Sequence, residues 1–277
     1  MSFRTITVFL DETPASEARL EAAIGFASAH GAHLDAVALL AEPAFTYVAG
    51  SEMALDLWAA ELRERRKVAM GIADAAAEKI AKAGLSAGAR ADAAVPAALA
   101  ELAAIHARAS DVAITGVPDG EDEVPSEVLD GVLFGSGRPA IAMPSGAPAP
   151  RTDTVLAGWD AGEAATRAIH EALPVLKSAA NVSLTVVDPH PSRGDFGEEP
   201  GADIAAHLAR HGVRVTVERL PSLDRSTAET VLQHAEDIGA GMIVMGGYGH
   251  SKLRERLFGG VTREMLMTSR IPMFMAH

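Results

Sequence analysis

Met245-Gly246-Gly247-Tyr248-Gly249-His250-Ser251, followed by Gly259-Gly260-Val261-Thr262, is the stretch on which the reading turns. It comes directly after an apolar run, Met242-Ile243-Val244-Met245, and before a helical segment at 261–269. Glycines 246, 249 and 259 fit the spacing G-x2-G-x9-G. A buried strand that runs into glycines and then a helix start leaves backbone N–H groups facing outward where the helix dipole also favours negative charge. The natural ligand of such a turn is a phosphate. The glycine spacing alone discriminates poorly in a chain with 25 Gly among 277 residues. The strand–turn–helix context carries the inference. A plain turn in which glycine only supplies positive φ is the competing explanation.

Charge supports the same end of the molecule. Net charge is −13, which argues against general nucleic-acid binding. Residues 1–148 carry 11 Lys and Arg against 21 Asp and Glu, and residues 149–277 carry 13 against 16. After residue 248 the balance turns positive, with Lys252, Arg254, Arg256, Arg263 and Arg270 against Glu255 and Glu264. Cys is absent, which excludes disulfides, thiolate catalysis and Cys-ligated zinc. No apolar run is long enough to span a bilayer, and Met1-Ser2-Phe3-Arg4 leads straight into a strand-like run without a signal-peptide core. A cytoplasmic protein without membrane contact is expected.

The chain repeats itself once. Thr5-Ile6-Thr7-Val8-Phe9-Leu10-Asp11 matches Thr154-Val155-Leu156-Ala157-Gly158-Trp159-Asp160, and each is followed by an Ala-rich amphipathic helix. Ala18, Leu20, Ala23 and Ile24 match Arg167, Ile169, Ala172 and Leu173 at constant offset. Asp111-Val112-Ala113-Ile114-Thr115-Gly116 matches Gly241-Met242-Ile243-Val244-Met245-Gly246. Each half closes on a Pro-led apolar run, 139–143 and 272–276. Between the halves lies Pro144-Ser145-Gly146-Ala147-Pro148-Ala149-Pro150, a linker by composition, which sets domains at 1–146 and 151–277.

Strands are expected near 4–10, 33–40, 86–93, 111–115 and 139–143, with helices near 15–29, 53–83, 97–108 and 124–135. The second half reads strands at 153–158, 182–187, 213–219, 241–245 and 272–276 and helices at 162–178, 202–211, 226–239 and 260–269. The strands read as continuous apolar runs, which suit a parallel sheet covered on both faces. The fold class is therefore α/β, two tandem doubly wound parallel-sheet domains. Ligands of such sheets bind beyond the carboxyl ends of the strands, where Asp160, the 186–188 strand end and Gly246 all fall.

With these residues in place the chain resembles the tandem, two-domain form of the universal stress protein family, over nearly its whole length. The strand-terminal Asp, the Val186-Val187-Asp188 strand end, the glycine turn and the closing Pro-containing strand carry the resemblance. It implies an adenine-nucleotide α-hydrolase-like, Rossmann-like fold, a role in stress response, and ATP, with or without magnesium, in the second domain. It also implies that Asp160 and Gly158 contact the ribose and first-strand end and Val186 lines the adenine pocket. By the same resemblance Gly246, Gly249, His250, Gly259, Gly260 and Val261 would surround the phosphates. The family's motif has Ser or Thr where this chain has Gly260, so one hydroxyl donor is missing.

The first half departs further. Val117-Pro118-Asp119-Gly120-Glu121-Asp122-Glu123 replaces the glycine turn, and Ser126 and Glu127 fall where Gly259 and Gly260 sit. Clustered carboxylates repel a triphosphate, so this half is read as a degenerate partner without ATP. The two domains are expected to pack as an intramolecular pseudo-dimer through their last strands, and homodimerisation is left open. No catalytic residue and no metal site is assigned. A phosphoacceptor role for Asp11 or Asp160 lacks a companion acidic pair, and His207 and His211, at i and i+4, lack a third zinc ligand. His250-Ser251 lacks a nucleophile elbow. At most slow ATP hydrolysis is expected. The alternatives are a nucleotide-independent scaffold that keeps only the fold, and, behind it, an enzyme related by fold to the α-hydrolases.

Overall fold

A computed structural model of the chain describes residues 2–42, 52–118, 124–189, 199–248 and 260–277, with only the backbone of 52–55. The acidic loop 119–123, and Gly249, His250 and Gly259 of the glycine turn, lie outside the described residues. The chain forms two compact units, Phe3–Arg138 and Pro139–His277, the extreme N-terminus counting with the latter.

The N-terminal unit contains β1 (Thr5–Leu10), α1 (Ala15–His30), β2 (His33–Ala41), α2 (Glu52–Lys82), β3 (Ala87–Ala94), α3 (Pro96–Ala107), β4 (Val112–Gly116) and α4 (Val124–Asp130). A π-helical turn, Gly131–Ser136, continues α4. The strands lie in the order β3-β2-β1-β4, and each adjacent pair is parallel. Right-handed crossovers then put α1 and α2 on one face and α3 and α4 on the other. Ile6, Leu34, Leu39, Ile114 and Leu99 are fully buried between these layers. Each contributes about 1.5–3 kcal/mol relative to exposure. Helix α1 stops at Gly31, whose φ of 61° lets its N–H close on Ala27 and Ser28 carbonyls.

The C-terminal unit contains β5 (Ala140–Met143), β6 (Thr154–Gly158), α5 (Glu163–Glu171), α6 (Leu173–Ser178), β7 (Asn181–Val187), α7 (Ala202–Arg210), β8 (Val215–Leu220), α8 (Thr227–Asp237), β9 (Met242–Gly246), α9 (Gly260–Thr268) and β10 (Met273–Ala276). Its order is β5-β10-β9-β6-β7-β8. All pairs among β6–β10 are parallel, whereas β5 runs antiparallel to β10, pairing Ala142 with Met273 and Ala140 with Met275.

Two local expectations are revised. The single helix at 162–178 is two helices, because Pro174 in the second one cannot donate to the preceding turn; the break falls at Ala172. The strands are not all apolar runs. Edge strands β3 (AGARADAA) and β8 (VTVERL) are half-buried, since an edge is covered by only one neighbour.

Candidate functional site

The topology fixes where a ligand can sit. In the C-terminal unit the chain leaves β6 toward β7 and β8, then returns to β9 and β10 on the other side of β6. The crevice of such a sheet opens at this reversal, between the carboxyl ends of β6 and β9. Those ends carry Gly158 and Gly246.

After Gly158, Trp159 still donates its N–H to the Thr185 carbonyl (2.9 Å), so the chain leaves the sheet only at Asp160. Asp160 is exposed, and its Oδ1 accepts the Gly162 N–H at 2.8 Å, a short turn that starts α5. Ala161 inside it has φ of 59°, a left-handed conformation uncommon for a residue with a Cβ. The first turn of α5 then lies against the end of β9. A Cβ at Gly246 would stand 2.5 Å from the Ala165 nitrogen and 2.7 Å from the Ala164 carbonyl carbon, so glycine is what permits this approach. The structure thus brings Gly158, the Asp160 turn and Gly246 to one place.

The far side of the glycine turn is tied to the same place. Gly247 donates to the Ala276 carbonyl at 2.8 Å, and its own carbonyl lies 2.9 Å from His277 Nδ1. Tyr248 has φ of 59° and donates its N–H to Thr262 Oγ1 at 3.2 Å. Thr262 lies on the first turn of α9 and is 5% exposed. Its hydroxyl ties the start of α9 to Tyr248. Gly260 and Val261, just before it, are exposed, and among the described residues nothing lies within 4 Å of a Cβ built on Gly260.

Val186 sits on β7, next to β6, and is 1% exposed. Its Cγ2 lies 3.4 Å from where a Cβ on Gly201 would be, under the start of α7. On the opposite face, Glu264 of α9 accepts a hydrogen bond from Ser226 Oγ (2.6 Å), and Ser226 also caps α8 through a reciprocal pair with Glu229. His207 and His211 stack at 4.6 Å between ring centroids, with His170 of α5 4.9 Å from His207. Desolvation, then His170, His211 and Arg210, lower the His207 pKa. Among the described residues no group of three or more His, Asp or Glu is placed to hold a metal ion.

The matching crevice of the N-terminal unit lies between β1 and β4. Asp11 makes the same turn as Asp160: its Oδ1 accepts the Thr13 N–H at 2.9 Å, and the Thr13 hydroxyl donates to that oxygen too. Here, however, Arg19 of α1 reaches in, 4% exposed, and donates from Nη2 to Asp11 Oδ2 at 2.5 Å and from Nε to the Phe9 carbonyl at 2.8 Å. Sequence reasoning missed Arg19. The one signal was a charged residue on the buried, Ala-rich face of a helix, at the position where the repeat has Ala168. A groove of about 400 Å³ opens beside it, floored by Leu10, Leu20, Ile72 and Ala76. The carboxylates on its rim are paired, Glu12 with Arg65 (2.5 Å) and Glu17 with Lys79 (2.6 Å).

Comparison with known proteins agrees with this architecture. Residues 151–277 match the sequence profile of the Universal stress protein family. A universal stress protein from Archaeoglobus fulgidus DSM 4304 is similar in structure, with 19% identity, 97% of each chain covered and a TM-score of 0.67. A universal stress protein from Pseudomonas aeruginosa UCBPP-PA14 is similar at 17% identity, with 98% of this chain and 92% of that one covered and a TM-score of 0.54. At these identities the likeness is one of fold. No curated protein sequence matches the chain. Among the described residues no helix is long and apolar enough to cross a membrane.

Proposed function

We propose that residues 151–277, which match the Universal stress protein family profile, form an adenine-nucleotide sensor whose crevice lies between the ends of β6 and β9. The observation that carries the reading is that the first turn of α5, which follows the Asp160 turn, packs against Gly246 at the end of β9, while Tyr248 just beyond is tied to Thr262 at the start of α9. Asp160 is placed to accept from ribose hydroxyls. The main-chain amides of exposed Gly260 and Val261, at the start of α9, would face phosphates, helped by the helix dipole. ATP, with or without magnesium, is the ligand this chemistry suits. Turnover is at most slow, because no general base is assigned to the site. The protein then acts in the cytoplasm as a stress-response component whose second half reads nucleotide level.

Calorimetric titration of the full chain with ATP tests this. One ATP per chain is expected, with affinity reduced ten-fold or more in Asp160→Ala, as for loss of hydrogen bonds worth about 1.5 kcal/mol or more. Absence of binding at millimolar ATP rejects the reading and leaves a scaffold that keeps only the fold.

A further inference from the structure

We propose that the crevice of the N-terminal unit is permanently occupied by the chain's own guanidinium, that of Arg19, and is thereby closed to nucleotide. The two halves build the same turn: Asp11 caps Thr13 as Asp160 caps Gly162. Of the many differences between the two following helices, one lies against this turn. Ala168 contributes a buried methyl group in the second half, and Arg19 contributes a cation in the first. Arg19 Nη2 takes the Asp11 oxygen that the turn leaves over, and Nε takes the Phe9 carbonyl. Nη1 lies 2.5 Å from where a Cβ on Gly116 would stand. Gly116 is the sequence counterpart of Gly246, and the guanidinium packs against the first where the backbone of α5 packs against the second.

The arrangement is self-contained. A guanidinium buried to 4% exposure needs a carboxylate and further acceptors, and it has both. A nucleotide entering here would have to displace the cation from Asp11 and leave one of the two unpaired, at large cost. The strand-end turn of this half therefore holds a single conformation whatever the nucleotide level, and only the second half responds. This deepens the proposed function by limiting the chain to one nucleotide site. Its test reads the first unit alone, so its failure would leave the second crevice untouched.

Arg19→Ala copies the residue of the other half and leaves a guanidinium-shaped hole beside Asp11. Thermal unfolding of the full-length variant is measured with low-millimolar methylguanidinium, against methylammonium at equal ionic strength. The expected result is a lowered transition temperature that methylguanidinium raises saturably, regaining roughly half of the loss, as a bound ligand does. Methylammonium, which lacks the planar fork, gives no such rise. Wild type and Arg19→Met, whose side chain fills the hole, do not respond. If Arg19→Ala does not fold unaided, refolding yield with and without methylguanidinium gives the same comparison. No saturable response in Arg19→Ala, or two ATP bound per wild-type chain, overturns the proposal.

Discussion

Thr262 Oγ1 accepts the backbone N–H of Tyr248 across the ends of the glycine turn, at 3.2 Å. Both residues are buried, Tyr248 at 8% and Thr262 at 5% exposure. One hydroxyl therefore ties the end of β9 to the start of α9. Thr262→Val keeps the shape and removes the acceptor, and the Tyr248 N–H is left buried without this partner. A loss of about 1–3 kcal/mol is expected by urea unfolding. Thr262→Ser retains the oxygen and should lose much less. ATP affinity, measured on the same variants, should fall in Thr262→Val alone.

Gly246→Ala pushes a methyl group against the backbone of the first turn of α5, at 2.5 Å from a nitrogen that cannot rotate away. Overpacking of this kind costs about 1–3 kcal/mol, and the upper end is expected because backbone rather than side chain must yield. The unfolding midpoint should drop, and nucleotide binding should drop with it, since the Asp160 turn would be displaced. Gly158→Ala is the control for stability. Its Cβ would meet its nearest neighbour at 3.8 Å, an ordinary contact.

Gly260→Ser restores the hydroxyl that the family's motif carries. The position is exposed, has no neighbour within 4 Å of a Cβ among the described residues, and is not in the left-handed range of φ, so a side chain fits without strain. A hydrogen bond to a charged phosphate is worth about 1.5–3 kcal/mol, so ATP should bind ten-fold or more tightly. Unchanged affinity in calorimetry would place the phosphates elsewhere.

Asp130 predicts a pH dependence for the N-terminal unit. Burial, with a smaller effect from Glu127, pushes its carboxyl up from 3.8 to about 6. The folded state thus holds this proton more tightly than the unfolded one. The associated stability is fully present below about pH 4 and is lost as pH rises through about 6. Asp130→Asn removes the ionised carboxylate. It should be more stable than wild type at pH 7, by about 1–2 kcal/mol after allowing for partial exposure, and indistinguishable near pH 4. Urea midpoints across pH 4–8 check the sign.

The sequence made the architecture legible through particular residues. The matching runs at Thr5 and Thr154 marked the repeat, and the apolar strands β1, β4, β6 and β9 stood out because they are buried on both faces. The edge strands were also expected, at 86–93 and 213–219, although Arg90 and Asp92 on β3 and Glu218 and Arg219 on β8 interrupt their apolar runs. Of the site, Gly246 and Asp160 were visible as strand-end residues, and their neighbourhood is what the structure adds. Arg19 read as one more charge on an amphipathic helix. Its role depends on Phe9, Asp11 and Gly116 meeting at the end of β1, a contact between segments far apart in the chain.

Period and composition are local properties, so the chain alone set the strand–helix alternation, the matching runs of the two halves and the acidic balance. What fills the end of β1 is decided by side chains that meet only after folding. Arg19 reaches from α1 to the Asp11 carboxylate, while the corresponding Ala168 contributes only a buried methyl group. Desolvation makes that difference large. A buried cation must keep its partners, and a ligand can enter only where no such bond has to be broken.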